Sequence, residues 1–282
     1  MRVLLTGAYG RCGTAIIDHL YDKPGYEFTL LDREEPVSGE PYSEYETVVA
    51  DVADREAVMA ATAEHDAVVH LAGDPSPESE WEDVFEPNIL GQLNMLDAAR
   101  ATDVQSFVFA STNHVVGMYE IEHRPTVYEN GYDLVVDHTA PLRPDSYYGL
   151  SKAFGETLGR LYVDRFASPG QFYALRIGNV NAPALDDPAA FARRELHEGA
   201  DAASAAFTHG VLRKMAMWQS RRDFAQLVDR CLQDEGVTFD IFYGLSDNRN
   251  RWFDIEHARA VLGYRPRDRA EDRPIPWDGL PG

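Results

Sequence analysis

Short apolar runs alternate with helical periodicities along the first two thirds of the chain. Val3-Leu4-Leu5-Thr6 reads as a strand, and glycines separate it from a helical pattern around residues 15–21. Phe28-Thr29-Leu30-Leu31, Thr47-Val48-Val49-Ala50, Ala67-Val68-Val69-His70-Leu71 and Ser106-Phe107-Val108-Phe109-Ala110 follow as strands, with helices expected near 55–63 and 90–101. A helix at about 146–166 precedes a further strand, Phe172-Tyr173-Ala174-Leu175-Arg176-Ile177. This alternation predicts an α/β fold: a Rossmann-type, doubly wound parallel sheet with helices on both faces.

From 183 to about 213 the periodicity breaks into a stretch rich in Ala, Asp and Glu, expected to be an inserted loop or short helices outside the sheet. An amphipathic helix at 217–232, a strand at 239–243 and a helix at 255–262 resume the pattern. The organisation expected is one integrated domain: a nucleotide-binding core at 1–180, a small substrate-binding portion at 181–264 and a C-terminal arm at 265–282, extended or frayed.

Composition narrows the class. A hydrophobic fraction of 44% with 14 Tyr and 13 Phe is that of a globular protein. No stretch approaches the ~18 apolar residues of a bilayer span. The apolar start at Met1 is too short for a signal peptide. Cys12 and Cys231 supply neither a disulfide framework nor a metal cluster. No metal is expected, and the cytoplasm is the expected location. A net charge of −21 argues against a nucleic-acid partner. Only Lys23, Lys152 and Lys214 are lysines, and this acidic, lysine-poor balance resembles that of halophilic proteins from a high-salt cytoplasm, where screening suppresses self-repulsion.

Gly7-Ala8-Tyr9-Gly10-Arg11-Cys12-Gly13 follows the first strand and opens a helix, where a tight turn and free N–H groups receive a pyrophosphate. Its spacing is Gly-x-x-Gly-x-x-Gly. Asp32 ends the second strand, positioned to accept hydrogen bonds from a ribose, which favours NAD; Arg33 beside it is of the type that accommodates the 2′-phosphate of NADP. Asp51-Val52 meets the adenine, or Asp51 caps the next helix. Leu71-Ala72-Gly73 closes the fourth strand with residues small enough for a cofactor to approach.

Tyr148 and Lys152 stand four apart on a helix and share a face. An ammonium beside a phenol favours the phenolate, a base for a substrate hydroxyl. Ser111-Thr112-Asn113 follows the fifth strand at the carboxyl edge of the sheet; Thr112 also suits a helix cap.

Together these motifs resemble the extended short-chain dehydrogenase/reductase superfamily over nearly the whole chain. Ser111-Thr112-Asn113-His114-Val115-Val116-Gly117, Arg176-Ile177-Gly178-Asn179, Tyr243-Gly244-Leu245-Ser246-Asp247-Asn248 and His70-Leu71-Ala72-Gly73-Asp74-Pro75 resemble a subgroup. It holds uronate dehydrogenases and the NAD-dependent glucose-6-phosphate dehydrogenases of salt-loving archaea. The resemblance implies oxidation of an anomeric carbon by Thr112, Tyr148 and Lys152. It adds Asn88, Ser111 and Ile177 to the cofactor residues. For the substrate it implies Asp74, Ser76, Asn113, His114 and Asn179, with His114 equally a packed histidine. Arg213, within Arg213-Lys214-Met215-Ala216-Met217-Trp218, is the residue implied for an anionic group at C6, its alternative being a surface arginine at a helix N-terminus. The segments 183–212 and 120–145 are expanded, and the first is a lid or an oligomer contact. Dimers or larger assemblies through 90–101 and 146–166 are implied. A nucleotide-sugar epimerase or dehydratase with tightly bound NAD is the alternative enzyme.

Overall fold

The computed structural model describes residues 1–273. β1 (Arg2–Thr6), α1 (Arg11–Leu20), β2 (Glu27–Asp32), β3 (Thr47–Val49), α2 (Arg55–Thr62), β4 (Ala67–His70), α3 (Trp81–Val84), α4 (Gly91–Ala101) and β5 (Ser106–Thr112) come first. They are followed by α5 (Gly117–His123), α6 (Tyr147–Phe166), β6 (Gln171–Ile177), α7 (Ala189–His197), α8 (Ala205–Ala216), α9 (Arg221–Gln233), β7 (Phe239–Gly244) and α10 (Glu256–Val261).

The seven strands form one sheet in the order β3-β2-β1-β4-β5-β6-β7, every pairing parallel. Strand residues divide between the two faces with period two. Leu5, Val69 and Val108 join a core with Ile16 of α1 and Phe224 of α9. Their neighbours Leu4, Val68 and Phe107 join the opposite core with Met95 of α4 and Leu158 of α6. Strand order reverses between β1 and β4, which opens a crevice above the carboxyl ends of those strands.

Several boundaries differ from the sequence expectation. α1 starts at Arg11, directly on the glycine turn, rather than near residue 15. The helix expected from 217 begins only at Arg221, because residues 217–219 pair with Asn179 instead. Asn179 N–H donates to the Met217 carbonyl at 2.7 Å, Gln219 N–H donates to the Asn179 carbonyl at 3.0 Å, and the Ser220 side chain then caps α9. The insert is two helices, α7 and α8, with a small core of their own: Ala192, Phe207, Val211, Met215 and Trp218, closed by Ala270. Residues 265–273 are tied down and not frayed. Buried Asp223 accepts the backbone N–H groups of Arg267 at 2.8 Å and Asp268 at 3.1 Å, and Asn248 accepts that of Ala270 at 3.0 Å. The rest of the expected arm lies outside the described residues. No helix among the described residues is long and apolar enough to cross a membrane.

Candidate active site

A cleft of about 1270 Å³ lies over the carboxyl ends of β1, β2, β4, β5 and β6. At one end is the β1–α1 turn. Gly7 takes φ +69°, and a Cβ on it would come within 2.7 Å of Ala72 N. On Gly13 a Cβ would stand 2.3 Å from the Gly7 carbonyl oxygen. Both positions therefore require glycine. No side chain caps α1 at Gly10, so its first-turn N–H groups and positive dipole end face the cleft. Asp32 is fixed at the end of β2 by the N–H groups of Tyr9, at 2.9 Å, and Arg33, at 2.8 Å. This cradle fits a dinucleotide: anion-seeking backbone at the turn, and a carboxylate where a ribose diol would reach.

Arg11, Cys12, Arg33, Asp51, Val52, Leu71, Ala72, Gly73 and Ile177 line the same cleft. Tyr9 instead lines a neighbouring pocket of about 580 Å³ and bonds through its hydroxyl to Thr47. Asp51 does not cap α2; Asp54 does, accepting from Glu56 and Ala57 N–H, while Asp51 accepts from Ala53 N–H at 2.9 Å. Asn88 sits behind the wall, in a π-helical turn at Phe85–Leu90 that contains Pro87. Its side chain accepts from Asp74 N–H at 2.7 Å and donates to Ser151 Oγ at 2.9 Å. Ser151 Oγ in turn donates to the Tyr148 carbonyl at 2.8 Å. Asn88 thus staples the Gly73–Asp74 turn to the first turn of α6.

Thr112, Tyr148 and Lys152 meet in this cleft, all buried. Thr112 also caps the 3-10 turn Asn113–Val116, accepting from His114 N–H at 3.3 Å, as the cap reading expects, while it lines the cleft. Burial pushes the Tyr148 phenol up to about 12, against the lowering effect of its hydrogen bond with Thr112. Burial likewise pushes Lys152 down to about 8, with Cys12 and Asp74 working the other way. Burial thus opposes ionisation of the phenol, against the direction in which a neighbouring ammonium acts. Cys12, raised to about 12 by burial, is a thiol rather than a nucleophile.

Ser111 lines the cleft too, and its hydroxyl donates to Glu156 Oε1 at 2.6 Å. Glu156, one turn beyond Lys152 on α6, holds the Arg176 fork at 2.9 Å through both oxygens. This buried network, absent from the sequence reading, locks α6 against β5 and β6.

The residues expected to meet the substrate all line the cleft, Asp74, Ser76 and Asn113 included. Asn179 has a buried side-chain nitrogen with no hydrogen-bond partner among the described residues. His114 lines the cleft beside the Tyr148 ring, centroids 5.9 Å apart, and its Nδ1 pairs with Asp145 at 2.8 Å. Asn113 donates to the Ile177 carbonyl at 3.2 Å. Asp74 caps its own turn through Ser76 N–H and Ser79 Oγ, both at 2.9 Å, while Ser76 Oγ donates to Glu78. Arg213 is not at a helix start. It lies in the last turn of α8, facing the cleft, with Nε and Nη2 both on the Glu120 carboxylate. Glu120 and Lys214 also line the cleft, and sequence reading missed both. Away from the cleft, His138, Asp240 and His257 come together at the sheet edge, the two rings stacked at 3.6 Å and 8°. Parallel rings point their lone pairs side by side rather than at one point.

A dinucleotide cradle joined to a Thr–Tyr–Lys group at the carboxyl edge of β5 defines an oxidoreductase of the short-chain type, acting on a CH–OH carbon. The chain belongs to the NAD dependent epimerase/dehydratase family, whose model matches residues 3–231, and NAD is its cofactor. It is 40% identical over 275 residues to the NAD-dependent glucose-6-phosphate dehydrogenase of Haloferax volcanii, covering 96% of this chain and 94% of that one. It is 35% identical to the uronate dehydrogenase of Pseudomonas putida (96% and 85% covered). Its identity to the L-arabinose 1-dehydrogenase (NAD(P)(+)) of Haloferax volcanii is 34% (95% and 97% covered). A uronate dehydrogenase variant from Agrobacterium tumefaciens, solved in complex with NAD, superposes with a TM-score of 0.72 at 30% identity, covering 96% of this chain and 86% of that one.

Proposed function

We propose that the protein oxidises the anomeric C1 hydroxyl of an anionic hexose to its lactone, with glucose 6-phosphate as the substrate. The observation that carries this reading is the cationic end of the cleft, Arg213 and Lys214 on α8, in a chain whose similarity to a glucose-6-phosphate dehydrogenase extends over 96% of its length. Uronate is the second reading, favoured by the uronate dehydrogenase relatives, since a carboxylate and a phosphate both suit a cationic pocket.

In this reading Gly7, Gly10, Gly13 and Asp32 hold the dinucleotide, and Lys152 holds the nicotinamide ribose. NAD, when bound, accepts the hydride that leaves C1. Tyr148 takes the proton of the C1 hydroxyl, Thr112 hydrogen-bonds the same oxygen, and Lys152 supplies the positive charge that makes the phenolate tolerable. Asn179 and His114 orient the sugar hydroxyls. The proton passes to solvent, so each turn converts one hexose to lactone with loss of two electrons and two protons from C1–O1. The same reading places the enzyme in a high-salt cytoplasm as a homo-oligomer through α4 and α6, where Leu150, Phe154 and Leu161 are exposed.

The test is NADH formation with glucose 6-phosphate, glucuronate, galacturonate, arabinose and glucose in molar salt. Glucose 6-phosphate is expected to give the highest kcat/KM, and Tyr148→Phe to lose about a hundredfold or more in kcat while still binding NAD. A higher kcat/KM for an uncharged sugar would overturn the anionic reading.

A further inference from the structure

The two cations at the end of the cleft are not in the same state. Arg213 is already engaged: its fork rests on Glu120, which also accepts the Tyr128 hydroxyl at 2.6 Å. Lys214 follows it on α8 and lines the same cleft, yet among the described residues no carboxylate lies within ion-pair distance of its Nζ. That nitrogen stands 5.8 Å from the centre of the Phe191 ring of α7. Burial, then the positive charges of Arg213, Arg194 and Arg11, hold its pKa below the ordinary lysine value, with Glu120 acting weakly in the other direction.

Arg11 and Arg124 line the same cleft and also have no carboxylate within ion-pair distance among the described residues, but of the three lysines Lys214 alone has neither such a carboxylate nor a place in the Thr–Tyr–Lys group. Acidic residues outnumber basic ones 47 to 26, and Lys23 is held by Asp229 at 2.5 Å while Lys152 belongs to the Thr–Tyr–Lys group. A half-buried ammonium among other cations, left without a carboxylate in so acidic a protein, is a standing demand for an anion from solution.

We propose that Lys214, with Arg213 held aside by Glu120, is the residue that selects the anionic group of the hexose. The inference rests on the reading of the preceding subsection and moves the specificity from the arginine to its neighbour. Arg213 then serves as a wall, fixing α8 against α5.

Lys214→Met removes the charge and keeps an unbranched stem. The preference for glucose 6-phosphate over glucose, as a ratio of kcat/KM values, is expected to fall about tenfold or more through KM, and Lys214→Arg is expected to retain most of it. An unchanged ratio overturns the assignment. So does a rise in the Kd for NAD as large as the loss on the sugar, which would put the lysine on the dinucleotide phosphates. Should the unmodified protein turn over no charged hexose, the functional reading fails by itself, and calorimetric titration of the NAD-loaded protein with inorganic phosphate decides the lysine's role. Phosphate bound by the unmodified protein and lost in Lys214→Met upholds it; equal binding by both overturns it.

Discussion

Lys152 is a charge kept where water is not. The fall from 10.5 to about 8 corresponds to roughly 3 kcal/mol of differential interaction. Its sign follows from linkage: below pH 8 both folded and unfolded chains carry the proton, and the folded state bears the full cost of the buried ammonium. Between about 8 and 10.5 the folded chain is neutral while the unfolded one is still protonated, so this contribution to stability improves as pH rises. Lys152→Met is therefore expected to raise the Tm at pH 7, with a gain that shrinks toward pH 10, and to abolish turnover. A Tm lowered at pH 7 in this variant would contradict it. His70 shows the opposite arrangement, a buried imidazole kept neutral, pushed down to about 3 by burial and bonded through Nδ1 to Thr6 Oγ1 at 2.8 Å.

At the scale of elements, α6 carries its work in one stripe: Tyr148, Lys152 and Glu156, each four residues from the last. The first two face the cleft and the third anchors the helix through Arg176 and Ser111. The shared face of the first two was legible from spacing, but their chemistry was legible only in company with the glycine turn, Asp32 and Ser111-Thr112. The strands were legible because an apolar run flanked by a glycine turn is a local signal. The stripe's third member was not, since Glu156 acquires meaning only when β6 brings Arg176 alongside. The same holds for Glu120 and Arg213, far apart in sequence, and for residues 217–219, whose helical pattern loses to pairing with Asn179. The α7–α8 insert gives a second test at this scale. Phe207→Ala opens the core of that lobe, at a local cost of roughly 3–5 kcal/mol. It is expected to raise KM for the sugar while the Kd for NAD stays as it was; a matching loss of NAD affinity would show that the lobe supports the whole cleft.

For the whole molecule the governing number is the net charge of −21. At physiological ionic strength screening reaches only about 8 Å, and at molar salt about 3 Å, so salt removes most of the self-repulsion between exposed carboxylates. The Tm is expected to climb steadily from low salt to molar KCl, measured by circular dichroism, and a flat profile would count against adaptation to salt. The sheet runs unbroken from β3 to β7, and the insert adds a small core completed by Met215, Trp218 and Ala270, with Leu212 and Ala216 of α8 packed toward Tyr243 of β7. That arrangement has an evolutionary meaning. Arg213 and Lys214 stand in the last turn of the lobe's second helix, so changes within 183–211 would reach the sugar by shifting those two residues, while the strands that carry the redox groups keep their own cores. A library confined to that segment should return mostly folded, NAD-competent proteins whose appetites differ, as lineages diverging from one ancestor would.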